Sequence, residues 1–261
     1  MNSFNRITKY LQYRLNAKTK HAVHSPFLFE LITQVLNNKQ SNSDYTIVEN
    51  YKKTLLKDKT IISCPDLGAA SKVLKSNQNS IQQIAKSSSV NKKFGRLLYR
   101  LVEHFRPNTI LELGTSLGIS TQYLALANKN AKVITLEGCS DKTNYNKQFL
   151  KNERFKNIDS HTGNFDILLP EVLTKTTTVD LVFFDGNHQE KATLNYFEHC
   201  LSKINNKTIF IFDDIYWSKG MENAWEKIIE HPKVTLSINL YYMGIVFFRK
   251  ENTKEHFDIK F

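Results

Sequence analysis

From residue 109 onward, short apolar runs alternate with segments of helical period. The runs are TILEL (109–113), KVITL (132–136), VDLVFF (179–184) and KTIFIF (207–212), with a weaker one, KNIDSH (156–161), between the second and the third. The intervening segments, 119–128, 142–152, 165–175 and 189–203, repeat their apolar residues at helix spacing. Runs rich in Val, Ile and Phe, separated by helices, predict βαβ units and a parallel sheet. Right-handed crossovers then bring the strand C-termini to one edge, where open α/β sheets bind ligands.

Both ends of the chain depart from this alternation. After a helix at about 218–231, KVTLSINL and MGIVFFRK are separated only by Tyr241-Tyr242. That link is too short for a crossover helix, so it predicts a hairpin with one antiparallel strand. The first 108 residues read as helical, at 3–17, 26–37, 43–57 and 91–105, with Ser25-Pro26 as an N-cap followed by proline at the first helical position. SNQNS (76–80) and SSS (87–89) read as loops. The expectation is an α/β domain at 90–261 behind a helical extension at 1–89.

The 261 residues, 41% of them hydrophobic, can bury a core without staples. Cys64, Cys139 and Cys200 lie far apart with no CxxC pair, which argues against a disulfide framework or zinc knuckle and for a reducing compartment. The N-terminus has no secretory h-region and no window approaches 18 apolar residues, so the expected location is the cytoplasm, with no membrane span. The net charge of +11 is unevenly spread. Residues 1–108 carry 18 Lys and Arg against 6 Asp and Glu, whereas 109–261 carry 18 against 19. The basic half is either a solvated helical surface or an attractor for an anionic partner.

The chemistry gathers where strands end. In ELGTSLGIS (112–120) a strand meets an acid, Glu112, and then glycines Gly114 and Gly118 before a helix. Ser116 stands where a dinucleotide fingerprint would have glycine. VITLEG places Glu137 at the tip of the next strand, 23 residues past Gly114, where a carboxylate can accept from both hydroxyls of a ribose. VFFDGNH puts Asp185 and His188 after the fourth strand, and IFIFDDIYWS puts Asp213 and Asp214 after the fifth. Ser218 is a better cap for the following helix than either aspartate, so that pair points to function. Tyr216 and Trp217 either wall a pocket or pack, and His21 and His24 read as ordinary histidines. DLGAASK (66–72) also has the form of a glycine turn, but Pro65 interrupts the strand it would need, so it reads as a loop.

With these motifs and the hairpin, the stretch from Val90 to the end resembles the class I S-adenosylmethionine-dependent methyltransferases, of the small-molecule O-methyltransferase type that includes catechol O-methyltransferase. The resemblance implies a Rossmann-like seven-stranded sheet ending in an antiparallel hairpin. It also implies that Gly114 approaches the methionine part of the cofactor, that Ser120 helps hold its carboxylate, and that Glu137 binds the ribose. Gly163 and Asn164 or Asp166, in GNFD, would line the adenine, and Val90 would close the pocket. In the metal-dependent members, Asp185, Asp213 and the residue after it would hold a divalent ion, Mg2+ or Ca2+, that acidifies the acceptor hydroxyl. Two positions depart from that pattern: Asp214 replaces a usual asparagine, and His188 stands where the catechol enzymes carry a lysine base.

Three functions follow as expectations. The first is methylation of a small-molecule hydroxyl on a possibly anionic acceptor, with the basic extension as a lid or homodimer contact. The second is an RNA methyltransferase gripping phosphates through that extension, although DGNH is unlike the (N/D)PP(Y/F) of amino-methylating enzymes. The third is a non-catalytic cofactor-binding protein.

Overall fold

The computed structural model describes residues 3–64 and 77–261. The DLGAASK segment (66–72) lies outside the described residues. The chain opens with helices α1 (Ser3–Asn16), α2 (Pro26–Leu31), which runs on into a π-turn at Ile32–Leu36, and α3 (Ser43–Leu55). A small antiparallel pair follows, β1 (Ile61–Ser63) with β2 (Gln78–Ser80), then α4 (Ile81–Ser87) and α5 (Lys92–Phe105). The Ser25 hydroxyl accepts the Leu28 N–H, as the Ser-Pro start of α2 predicts.

SNQNS is therefore not wholly a loop, and α4 is an added helix. Ser80 and Gln83 form a capping box in which each side chain takes the other's backbone N–H. The Ser-x-x-Gln spacing was the signal for that helix start.

From Thr109 the alternation is as expected: β3 (Thr109–Leu113), α6 (Ile119–Ala127), β4 (Lys132–Glu137), α7 (Ser140–Leu150), β5 (Ile158–Thr162), α8 (Phe165–Thr174), β6 (Leu181–Phe184), α9 (Glu190–Cys200), β7 (Ile209–Asp213) and α10 (Lys219–Glu230). The tail forms the hairpin β8 (Leu236–Asn239) and β9 (Met243–Phe247), and then β10 (Glu255–Asp258). Strand β9 runs antiparallel to both β7 and β8. The sheet has eight strands, in the order β10-β8-β9-β7-β6-β3-β4-β5, and not the expected seven. The eighth, β10, pairs in parallel with β8. Its EHFD sequence is polar and short, because an edge strand buries only one row of side chains.

The chain divides into two compact units, residues 39–172 and residues 1–38 with 173–261. In the first, β3, β4 and β5 lie parallel in that order, with Ile110, Leu111, Val133 and Ile134 buried. Every residue of α6 is buried, the polar Ser120, Thr121 and Gln122 included. In the second, Phe184 of β6 stacks on Phe212 of β7, with ring centroids 4.4 Å apart. Among the described residues no helix is long and apolar enough to cross a membrane.

The three cysteines are not all free. Cys64 and Cys139 form a disulfide, and only Cys200 remains a buried thiol. Reading sparse cysteines as unpaired fails because 75 residues separate this pair in sequence. The inference of a reducing compartment loses its basis with it.

Candidate functional site

In the unit of residues 39–172, the chain leaves β3 through a tight turn. Gly114 and Gly118 have φ of 109° and 75°, and Ser116 shares the left-handed region at 47°. Gly118 has a second constraint, since a Cβ there would lie 2.4 Å from the Phe149 ring. The turn is fastened from three sides. The Ser116 N–H donates to Glu137 Oε2 at 2.7 Å, Asn146 Nδ2 donates to the Ser116 carbonyl at 2.8 Å, and the Tyr51 hydroxyl donates to the Leu117 carbonyl at 3.1 Å. Burial pushes the Tyr51 hydroxyl well above its ordinary range.

Glu137 ends β4 and is only 6% exposed. Its second oxygen, Oε1, accepts the Cys139 N–H at 2.9 Å, and Lys142 Nζ lies 3.7 Å from the same atom. Both oxygens are thus pinned by backbone donors, and each keeps a further lone pair.

Glu112 is fully buried. Its Oε2 accepts the hydroxyls of Thr121 at 2.5 Å and Thr135 at 2.7 Å, while its buried Oε1 has no hydrogen-bond partner among the described residues. Burial raises the Glu112 pKa. Ser120, expected to hold a ligand carboxylate, is buried at the start of α6.

Asn164 stands just before α8, and its Oδ1 accepts the Asp166 N–H at 2.9 Å. Asn164 and Asp166 are exposed. An acid in the first turn of a helix also suits the positive end of its dipole. Val90 is buried, and its carbonyl accepts from Lys52 Nζ at 2.9 Å. Sequence reasoning missed Tyr51, Asn146 and Lys142, since nothing local marks a side chain that reaches a distant turn.

In the other unit, the register of β6 and β7 pairs Phe184 with Phe212, so Asp185 and Asp213 follow as neighbours. The two carboxyl groups are hydrogen-bonded. Burial, with the charge of Asp214 second, pushes Asp213 up to about 8, and the bond from Asp185 offsets part of this. A proton held between the two acids accounts for that bond. His188 Nε2 lies 3.7 Å from Asp185 Oδ1, within ion-pair range but too long for a hydrogen bond. Desolvation lowers the His188 pKa, opposed by the charge of Asp214.

The expected metal set does not come together. Among the described residues no three His, Cys, Asp or Glu side chains are placed to hold an ion. Asp185 and Asp213 bond to each other, and Asp214 sits on left-handed backbone at φ 53°. Ser218, not an aspartate, caps α10, its hydroxyl accepting the Met221 N–H at 3.1 Å. Trp217 is stacked under Arg6, whose guanidinium carbon is 5.2 Å from the ring centroid, and the Tyr216 hydroxyl accepts from Asn239. Both aromatic residues therefore have packing roles.

A family of methyltransferase domains matches residues 111–215, from the middle of β3 to just past the paired aspartates. No curated protein matches the chain. Among solved structures, the chain is similar to the O-methyltransferase TomG from Streptomyces achromogenes, involved in tomaymycin synthesis and solved with S-adenosylmethionine. The identity is 16%, with 80% of this chain and 91% of that one covered and a TM-score of 0.57. An O-methyltransferase from Bacillus cereus, in complex with S-adenosylhomocysteine, is 17% identical over 85% of this chain and 97% of that one, at a TM-score of 0.55. The S-adenosylhomocysteine-bound methyltransferase PaMTH1 from Podospora anserina is 13% identical over 87% and 98%, at 0.58. The chain shares the Rossmann-like fold of these methyltransferase structures.

Proposed function

We propose that this chain transfers the methyl group of S-adenosylmethionine to a hydroxyl oxygen of a small molecule. The observation that carries the reading is Glu137. Its carboxylate closes β4 with one backbone N–H on each oxygen, one of them from the glycine turn that follows β3. A carboxylate so fixed can still accept one hydroxyl per oxygen, which is the demand a ribose 2′,3′-diol makes. Gly114 supplies the close backbone approach, and Gly163, Asn164 and Asp166 are the adenine-side candidates. Glu112 and Ser120 shape the turn's far side, and Val90 lines the approach. The bound nucleosides of the O-methyltransferases from Streptomyces achromogenes and Bacillus cereus support the same cofactor here.

Methyl transfer is an in-line displacement. The acceptor oxygen forms a bond to the methyl carbon while the carbon–sulfur bond breaks and its electron pair stays on sulfur. The acceptor's proton must go to a base. His188 has the properties of that base, because its lowered pKa keeps the imidazole neutral at pH 7. With Nε2–H turned towards Asp185, Nδ1 is the accepting nitrogen, and the Asp185 carboxylate steadies the imidazolium that results. Each of these steps uses only this chain's own side chains. A balance of 18 basic against 6 acidic residues in positions 1–108 favours an anionic acceptor. In this reading residues 90–261 are the catalytic domain and 1–89 its basic extension.

The test is calorimetric titration with S-adenosylhomocysteine, followed by an acceptor panel of phenols and hydroxy acids scored for S-adenosylhomocysteine release. Binding that is lost in Glu137→Ala supports the reading. Undiminished affinity in that variant, or no binding by the wild type, overturns it.

A further inference from the structure

The disulfide lies beside Glu137, and the proposed reaction makes no use of it. Cys139 is two residues past Glu137, and its own N–H is the donor to Glu137 Oε1. Its sulfur is bonded to Cys64, the residue after β1. The β1 segment has a second attachment nearby, where the Ser63 N–H donates to Asp141 Oδ2 at 2.9 Å. The Tyr145 hydroxyl donates to Asp58 Oδ2 at 2.7 Å, so the same helix, α7, is tied to residues 58–64 at three points. Only one of the three is covalent. We propose that the Cys64–Cys139 disulfide is a redox-operated clamp on the cofactor site, which holds Glu137 in its ribose-binding position when oxidised and releases it when reduced.

This inference rests on Glu137 being the ribose acid. The accessibility and chemistry of the pair suit reversible reduction. Cys64 is half-buried whereas Cys139 is 3% exposed, so an incoming thiolate meets the Cys64 sulfur first. Attack there forms a mixed disulfide with Cys64 and expels the Cys139 sulfur as a thiolate. The second thiol of a dithiol reductant then closes its own disulfide and frees Cys64. Two electrons pass to the cysteines and the reductant is oxidised. The leaving sulfur is well placed to carry charge. Cys139 is the N-cap of α7, an 11-residue helix, with no side-chain cap bond, and Lys142 follows one turn later. Helix N-termini and neighbouring cations favour a thiolate. Once the bond opens, the Cys139 backbone is no longer tethered to β1, and its N–H loses the restraint that aims it at Glu137.

The whole chain decides the matter without truncation. Oxidised protein, shown by mass spectrometry to carry one disulfide, should bind S-adenosylhomocysteine about fivefold or more tighter than the same protein after dithiothreitol, the size of a modest site–site coupling. Cys64→Ser should bind like the reduced form and ignore the reductant. Equal affinity in the two redox states overturns the clamp. Hydrogen exchange reads it without any cofactor, because the amides of residues 138–142 should exchange faster after reduction, and unchanged protection also overturns it. If exchange responds but no state binds S-adenosylhomocysteine, the clamp stands as a redox device and the cofactor reading fails.

Discussion

The backbone N–H of Ser116 donates to Glu137 Oε2 across 2.7 Å, so the turn leaving β3 is anchored to the carboxylate that ends β4. Ser116 takes up left-handed backbone to make this bond, a conformation that costs a non-glycine residue free energy and persists only when its surroundings fix it. Asn146, holding the Ser116 carbonyl, supplies the second restraint.

Glu137 should therefore tolerate no change of charge. In Glu137→Gln one backbone N–H would face an NH2 group or the side chain would turn away, and charge-assisted bonds of this kind contribute about 1.5–3 kcal/mol. S-adenosylhomocysteine affinity should fall about tenfold or more by calorimetry, with Glu137→Ala at least as weak.

Gly118→Ala should destabilise the protein by roughly 1–3 kcal/mol in urea unfolding, for two separable reasons. Backbone at φ 75° resists a side chain, and the new methyl would lie 2.4 Å from Phe149. In a Phe149→Leu background the steric part should shrink and the backbone part remain, at about 1 kcal/mol.

His188→Asn should lower kcat by about 10²-fold or more while leaving S-adenosylhomocysteine affinity within about twofold, as loss of a general base does. Because the folded histidine's pKa lies below its ordinary value, wild-type kcat should hold as pH falls through the usual imidazole range and drop only beneath it. Stability follows the same sign. Below about pH 6.5 the unfolded chain takes up a proton that the folded one refuses, so folding stability is lost as pH falls from there towards the lowered value.

Asp213 has the opposite linkage. Its carboxyl is pushed up to about 8, so between its unfolded pKa near 3.8 and that value the unfolded chain ionises and the folded one does not. Wild-type stability should decline across this window as pH rises, and Asp213→Asn should abolish the decline in melts taken from pH 4 to 8. A chelator should leave methyl transfer unchanged if the paired acids hold a proton. A rate restored only by added Mg2+ would show that the pair takes an ion instead.

The chain pattern by itself determined the strands from Thr109 to Asp213, the glycine turn, the acid at the tip of β4 and the terminal hairpin. Alternation of apolar runs, glycine in the left-handed region and a two-residue link are local properties, and local sequence states them directly. Only the tertiary structure decided the rest. The eighth strand exists because β8 offers a partner to a short polar segment. Cys64 meets Cys139 because β1 lies against the start of α7. Asp185 and Asp213 bond to each other because one register places them side by side. Ser120 faces Glu112, a buried acid with few donors in reach. Each of these depends on a contact between residues distant in the chain, and its energy comes from burial and from matching a donor to an acceptor, which no single stretch of sequence specifies.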